Sequence, residues 1–497
     1  MNALRRLPEV LKVAWILLIV SCSLSPNMRG TASSVPVTPT LAPTPQPTKE
    51  EIALLPEYRL ILSLDAADRR LVGRQQVIFP NHTGQSLQEI VFRLYPNLPQ
   101  YGGQLHVAEA RVDDQPVPFS LRADDTALAL SLPQPLAAES SAVLSLDFDL
   151  LIPRKETGYV LFGISQSVWS LPDAYPLLAV HDASLGRTGA GATWHEDVAP
   201  PHADAVFAEA AYYDVTLTLP STLTLATTGS VVGETSGSEG QRVYRIVGGP
   251  LREFAWLASA GYSVLEATVH DTRVRSYYLP DDAASAQTAL DFAVASLRVY
   301  EDAFGPYPWD EMIVVEAPLL FYGMEFPGMN LIGLDLYREQ RTQLEDRVVH
   351  EVAHQWWYAQ VGNDQVNTPW LDEALAEYSM AIYYRQVYGD ARADTLVNQR
   401  WRVPYQLAVE NGYDAVVNQP SAAFGWEYEL IVYEKAALFF DALHQRLGQD
   451  AFMAVLRAYV EHYRWRIATP DGFLRLAESV SGEDLDDLYS QWILGRD

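Results

Sequence analysis

His350, Glu351 and His354, in the run Val-Val-His-Glu-Val-Ala-His-Gln-Trp-Trp, have the types and spacing of a hydrolytic metal site. On an α-helix, side chains four positions apart lie one above the other, so both imidazoles can reach one ion. Glu351 stands about 100° around the helix from His350, beside the ligands rather than among them, where a carboxylate can take a proton from water. Glu373 follows nineteen positions after His354, inside a second apolar, helix-like stretch. It completes a His, His, Glu donor set that leaves one position of a tetrahedral zinc open. Such an ion polarises a carbonyl and brings the pKa of its water to about 7, with Glu351 as general base. Glu377 lies one turn beyond Glu373, placed either to accept the spare ring N–H of a ligand histidine or to sit as an exposed charge.

These groups need rigid elements to hold them. Apolar periodicity predicts the two metal-bearing helices over about 343–360 and 370–388. Before them, a helix over 283–304 is broken by Phe304-Gly-Pro-Tyr-Pro-Trp, and a strand is expected at 312–316. Four further helices are expected over 392–410, 429–447, 450–464 and 470–479. Between about 55 and 262 the pattern instead has period two, as in Tyr58-Arg-Leu-Ile-Leu-Ser-Leu and Tyr213-Asp-Val-Thr-Leu-Thr-Leu. The fold class is therefore a multidomain α+β protein. An all-β domain of sandwich or saddle type covers 51–262, and a mainly helical domain covers 263–497. Asn81-His82-Thr83 has the form of a glycosylation sequon but reads as a turn.

The chain has 497 residues, enough for two or more domains, with 48% apolar and 20% charged residues, a globular composition. A formal net charge of −28 argues against nucleic acid or an anionic membrane surface as partner. Arg5, Arg6 and Lys12 precede a short apolar run that closes on Ile19-Val20-Ser21-Cys22. This resembles a bacterial lipoprotein signal over 1–21, with Cys22 as the lipidated first residue. Cys22 is also the only cysteine, so no disulfide and no thiolate metal site is expected. Residues 22–50 are rich in Pro, Thr and Ser and read as an extended spacer. The expected product is an exported protein, tethered by lipid to the extracytoplasmic face of a bacterial membrane. Its oligomeric state leaves no mark in the sequence.

Two more segments join the metal motif: Tyr322-Gly-Met-Glu-Phe, and Val432-Tyr-Glu-Lys-Ala, which puts Tyr433 83 residues after His350. With Trp370-Leu-Asp-Glu-Ala-Leu-Ala-Glu-Tyr, the set resembles the aminopeptidase N family of zinc metallopeptidases, gluzincins with a thermolysin-like catalytic domain. The resemblance implies one Zn2+ on His350, His354 and Glu373, with peptides as substrates. It also implies that Glu325 pairs with the substrate α-amine, that Gly323 and Met324 offer a backbone edge, and that Tyr433 donates to the oxyanion. Tyr428 matches a site tyrosine in some relatives and equally suits a packing role. The implied reaction is release of amino-terminal residues from peptides. The rivals are a zinc endopeptidase or other hydrolase on the same site, and a surface binding protein without catalysis. Phe326-Pro327 departs from the family, which has asparagine after the motif glutamate. About 140 residues follow the zinc helix, too few for the large helical domain of long relatives, so a more open cleft is expected. His195-Glu196 and His202 read as loop residues that border this cleft.

Overall fold

The computed structural model describes residues 55–495 apart from 190, 239, 321 and 340–342. The expected leader, Cys22 and the spacer over 22–50 lie outside the described residues. The period-two runs form strands because alternation gives each one a face to bury: Glu57–Asp65 alternates exposed and buried along its whole length. Eight strands make the largest sheet, in the order Ser230–Ser236, Gln241–Leu251, Ala211–Pro220, Glu57–Asp65, Arg70–Pro80, Ser141–Leu151, Gln104–Val112 and Gln115–Pro116. Glu57–Asp65 pairs parallel to Ala211–Pro220 and antiparallel to Arg70–Pro80. Two four-stranded sheets, one built on Leu87–Arg93 and one on Trp256–Ser259, complete this β-rich part. Leu60, Leu62, Val77, Ile90, Leu144 and Trp256 are all buried in its core. Asn81 is buried in the predicted turn, where its Nδ2 donates to the carbonyls of Gln85, Leu136 and Ala137.

A five-stranded sheet opens the mainly helical part, in the order Ser263–Val269, Thr272–Tyr278, Glu311–Ala317, Met329–Gly333 and Gly323–Phe326. The last of these is an edge strand, so one side of its backbone is open to another chain. The helix Ala283–Phe304 packs beside this sheet, and Trp370–Tyr388 is buried on almost every side, as a helix apolar all round must be.

The helix bearing His350 is shorter than its apolar run. It spans Leu344–Ala353, and His354 is its C-terminal cap. Beyond it the chain tightens, with Gln355 N donating to Val352 O and Trp356 N to Ala353 O, and then turns at Tyr358, where φ is 101°. Trp356 and Trp357 stay buried through that turn by donating their indole N–H to Gly305 O and Ser379 Oγ. Periodicity therefore reads on past the end of the helix. Two other expected helices contain π-helical turns, at Val397–Arg402 and at Leu430–Lys435, the latter running into Ala436–Leu447. Among the described residues no helix is long and apolar enough to cross a membrane.

The two parts meet at Arg252, which is buried without a carboxylate partner. Its Nε donates to Tyr358 O at 2.5 Å, Nη1 to Ala208 O at 3.2 Å, and Nη2 to Gln360 O at 3.1 Å and Arg466 O at 2.8 Å. Four carbonyls from both parts thus satisfy one guanidinium. Burial lowers its pKa to about 10, so it remains charged at neutral pH.

Candidate active site

His350 and His354 project from the end of Leu344–Ala353, and Glu373 comes from the first turn of Trp370–Tyr388. Their donor atoms converge. His350 Nε2 lies 3.1 Å from His354 Nε2 and 3.2 Å from Glu373 Oε2, and His354 Nε2 lies 3.3 Å from the same oxygen. A tetrahedron with bonds of about 2.1 Å has edges of ~3.4 Å, so this triangle fits one face of a zinc coordination sphere. The outer ring nitrogens are also engaged. His354 Nδ1 faces Trp357 O at 3.0 Å, and His350 Nδ1 lies 3.1 Å from Glu377 Oε2, at ion-pair distance though off the line of a good hydrogen bond. Such partners put the proton on Nδ1 and leave the Nε2 lone pairs for the ion.

Glu377 is buried, not the exposed charge that was its alternative. It accepts from Arg400 Nε and, at 2.7 Å, from Trp401 Nε1. Against the effect of burial, Arg400 and His350 hold its carboxyl well below the usual carboxylate range. Arg400 and Trp401 both sit on the π-helical segment Val397–Arg402. The second π-helical segment carries Tyr433, whose hydroxyl donates to Glu373 Oε1 at 2.6 Å and whose ring stacks on His350. π-turns are rare and concentrate at functional sites; here each of the two points a polar side chain at the metal-bearing helix pair.

Glu351 is buried beside the triad, with Arg347 Nη1 3.4 Å from its Oε1. Facing it is Gly323, where an added β-carbon would lie 2.1 Å from Glu351 Oε1. Glu325 follows on the same edge strand, and one of its oxygens falls within 4.8 Å of the donor atoms of Glu351 and His354. Burial pushes its carboxyl up to about 8, with His354 opposing and Glu373 and Glu351 adding to the rise. Met324 lies between them on the strand, half-buried. The Phe326-Pro327 departure leaves the hairpin intact, because Gln355 pins it: Oε1 accepts from Gly328 N at 2.7 Å, and Nε2 donates to Phe326 O and Asn330 Oδ1. Tyr428 is buried, with its ring against Tyr433 and against His202, so the loop carrying His202 does border the cleft. His195 stands apart from the triad, its Nε2 3.1 Å from Asp182 Oδ1.

Besides Arg400 and Trp401, three contributors escaped the sequence reading. Gln365 Nε2 links Glu325 Oε1 at 3.0 Å to Asp372 Oδ2 at 2.8 Å, fixing the Glu325 carboxylate to the Glu373 helix. Gln355 is the second. Asp204, on a loop of the β-rich part, is the third; burial, then Glu325 and Glu373, push its carboxyl well above the usual range. No spacing rule connects a loop at 204 with a helix at 373.

Residues 288–492 match the family model described as the peptidase family M1 domain. Aminopeptidase M1-B of Oryza sativa subsp. japonica is 25% identical over 301 residues, 57% of this chain and 34% of that protein. Endoplasmic reticulum aminopeptidase 1 of Homo sapiens is 25% identical over 240 residues, 43% of this chain and 24% of that protein. The chain thus spans about a third or less of the length of these curated relatives. An M1 zinc metallopeptidase from Deinococcus radiodurans superposes with a TM-score of 0.64 at 18% identity, covering 89% of this chain and 95% of that one. A two-domain M1 zinc metallopeptidase bound to L-arginine gives 0.65 at the same identity and coverage. The fold is therefore that of a two-domain M1 metallopeptidase, and His350, His354 and Glu373 are a candidate site for its metal ion.

Proposed function

We propose that this chain is a zinc-dependent aminopeptidase that removes amino-terminal residues from peptides. The observation that carries the reading is the position of Glu325. An acid at the end of an open edge strand, within 4.8 Å of the Glu351 and His354 donor atoms, gives a free α-amine a partner one residue away from the hydrolytic centre. The peptide main chain would pair with the Gly323–Phe326 edge, which recognises backbone whatever the side chains are. Asp204 would be a second carboxyl group facing the amine, whose positive charge would favour its ionised form.

The zinc supplies Lewis-acid polarisation of the scissile carbonyl and lowers the pKa of water. Glu351 takes the proton of the attacking water and delivers it to the leaving amine. Tyr433 donates its hydroxyl to the oxyanion as charge develops there, leaving its present acceptor Glu373. Glu377, Gln355 and Gln365 position these groups without touching substrate.

The deciding experiment compares leucine p-nitroanilide with its N-acetyl form. Zinc-loaded protein is expected to turn over only the free-amine substrate, and Glu325→Gln to lower its kcat/KM by roughly 100-fold. Equal turnover of both substrates would make the protein an endopeptidase or a general amidase. No turnover of either would leave a binding protein. We also propose export and lipid attachment at Cys22; intact-mass analysis of the membrane fraction would show a diacylglycerol adduct on a chain beginning at Cys22, and an unmodified Met1 form would end that proposal.

A further inference from the structure

A second cavity, of about 500 Å³, opens between the two parts and shares no residue with the zinc site. Its lining includes the apolar side chains of Phe79, Leu177 and Trp194 from the β-rich part. It also includes residues between Tyr463 and Thr469, which bring Arg464 and Arg466, with Arg475 from the helix that follows. Three arginines around one cavity are unexpected in a chain of net charge −28. Some surface arginines lie against carboxylates, as in Arg70–Asp149, Arg245–Asp214 and Arg446–Asp487, while Arg457 donates to the carbonyls of Asp302 and Ala303. Among the described residues neither Arg466 nor Arg475 forms such an ion pair, and both are exposed.

Among the described residues no other charge in the cavity lining pairs with Arg466 or Arg475. Glu209 is the only acid in the lining; it accepts the Ser184 hydroxyl, and burial raises its pKa. His181 is buried, which lowers its pKa, and its Nδ1 accepts from Ala183 N, so it is neutral. His82 is turned to Glu139, 3.2 Å away. Thr469 caps the helix Pro470–Ser481 beside the cavity, and Asp471 in the first turn of that helix answers its own positive end. Between the arginines Trp465 is held at φ 63°, a conformation bulky residues avoid, by donating its N–H to Gln360 O at 2.7 Å. A lining that combines apolar and cationic side chains selects a ligand with an apolar body and an anionic group.

We propose that this cavity binds a small oxyanion, a phosphate or carboxylate on an apolar body, held by Arg466 and Arg475 in a pocket whose lining includes Phe79 and Trp194. Such a ligand touches both parts of the chain and stabilises their union. The test is thermal unfolding of the full zinc-loaded chain with phenyl phosphate, benzoate and benzylamine. Phenyl phosphate or benzoate is expected to raise Tm by roughly 3 °C at saturation, and the larger shift names the headgroup. Benzylamine, with the same body and the opposite charge, is expected to give none. The shift should vanish in Arg466→Glu/Arg475→Glu and in the milder double glutamine variant. Both leave the zinc site intact, so this loss separates the cavity from anion binding at the metal. An unchanged shift in these variants, an equal shift with benzylamine, or no shift with either anion would overturn the proposal.

Discussion

The Gly323 α-carbon faces the Glu351 carboxylate so closely that any β-carbon on it would sit 2.1 Å from Oε1. The edge strand and the proposed base are therefore fitted to each other through a missing side chain. Gly323→Ala must push Glu351 away from its place beside His350. A displacement of about 1 Å at a reacting group costs on the order of 100-fold in rate, so kcat should fall by that much. Zinc content, measured by atomic absorption, should not change.

Tyr433 donates to Glu373 but is not needed to hold the ion. Tyr433→Phe removes the hydroxyl and keeps the ring on His350. Loss of one oxyanion donor lowers kcat by roughly 100- to 1,000-fold, and KM is expected to move little. A large rise in KM with kcat intact would assign the hydroxyl to substrate binding instead.

Glu377 joins His350 to Arg400 and Trp401. Glu377→Gln weakens the partner of a ligand histidine and leaves the half-buried Arg400 beside a neutral amide. Changes of this kind cost about 10- to 100-fold in metal affinity. Competition with a zinc chelator would measure it, and retention equal to the parent would reduce Glu377 to a packing role.

Asp204 reaches the site from the other part of the chain. If it receives the substrate amine, Asp204→Asn should raise KM for free-amine substrates by roughly tenfold, the worth of one charge-assisted hydrogen bond. Its effect on kcat should be smaller. Steady-state kinetics on the same anilide separates the two.

Asp173 lies against Glu253, which also accepts the hydroxyl of Tyr358, close to where Arg252 joins the two parts. Burial pushes Asp173 up to about 7, with Glu253 acting in the opposite sense. A folded-state pKa above the unfolded one means that stability is full below about pH 4 and is lost as pH rises towards 7. Asp173→Asn cannot ionise. It should therefore be more stable than the parent at pH 8, on the order of 2 kcal/mol, with the gap closing towards pH 4. Urea midpoints at pH 5 and pH 8 check the sign.

The metal triad was legible because all three donors lie on two helices whose period the sequence announces. The strands were legible for the same reason: in Glu57–Asp65 each alternate residue is buried. The end of the zinc helix at Ala353 was not, since Trp356 and Trp357 extend the apolar run through a turn. Nor were the two π-turns, which insert one residue into a helix without breaking its composition. Arg400, Gln365 and Asp204 meet the site only through the fold. In the sequence each is an ordinary polar residue far from the motif.

Arg252 reads only main-chain carbonyls, at Ala208, Tyr358, Gln360 and Arg466. Every residue it holds can change its side chain without losing the acceptor, provided that the chain keeps its path. The joint is thus indifferent to the side chains of the residues it holds, and intolerant at Arg252 itself and at Gly362, where a β-carbon would lie 2.3 Å from the guanidinium carbon. Divergence can rewrite both lips of the cleft, and with them the choice of substrate, while one guanidinium keeps the lips in register.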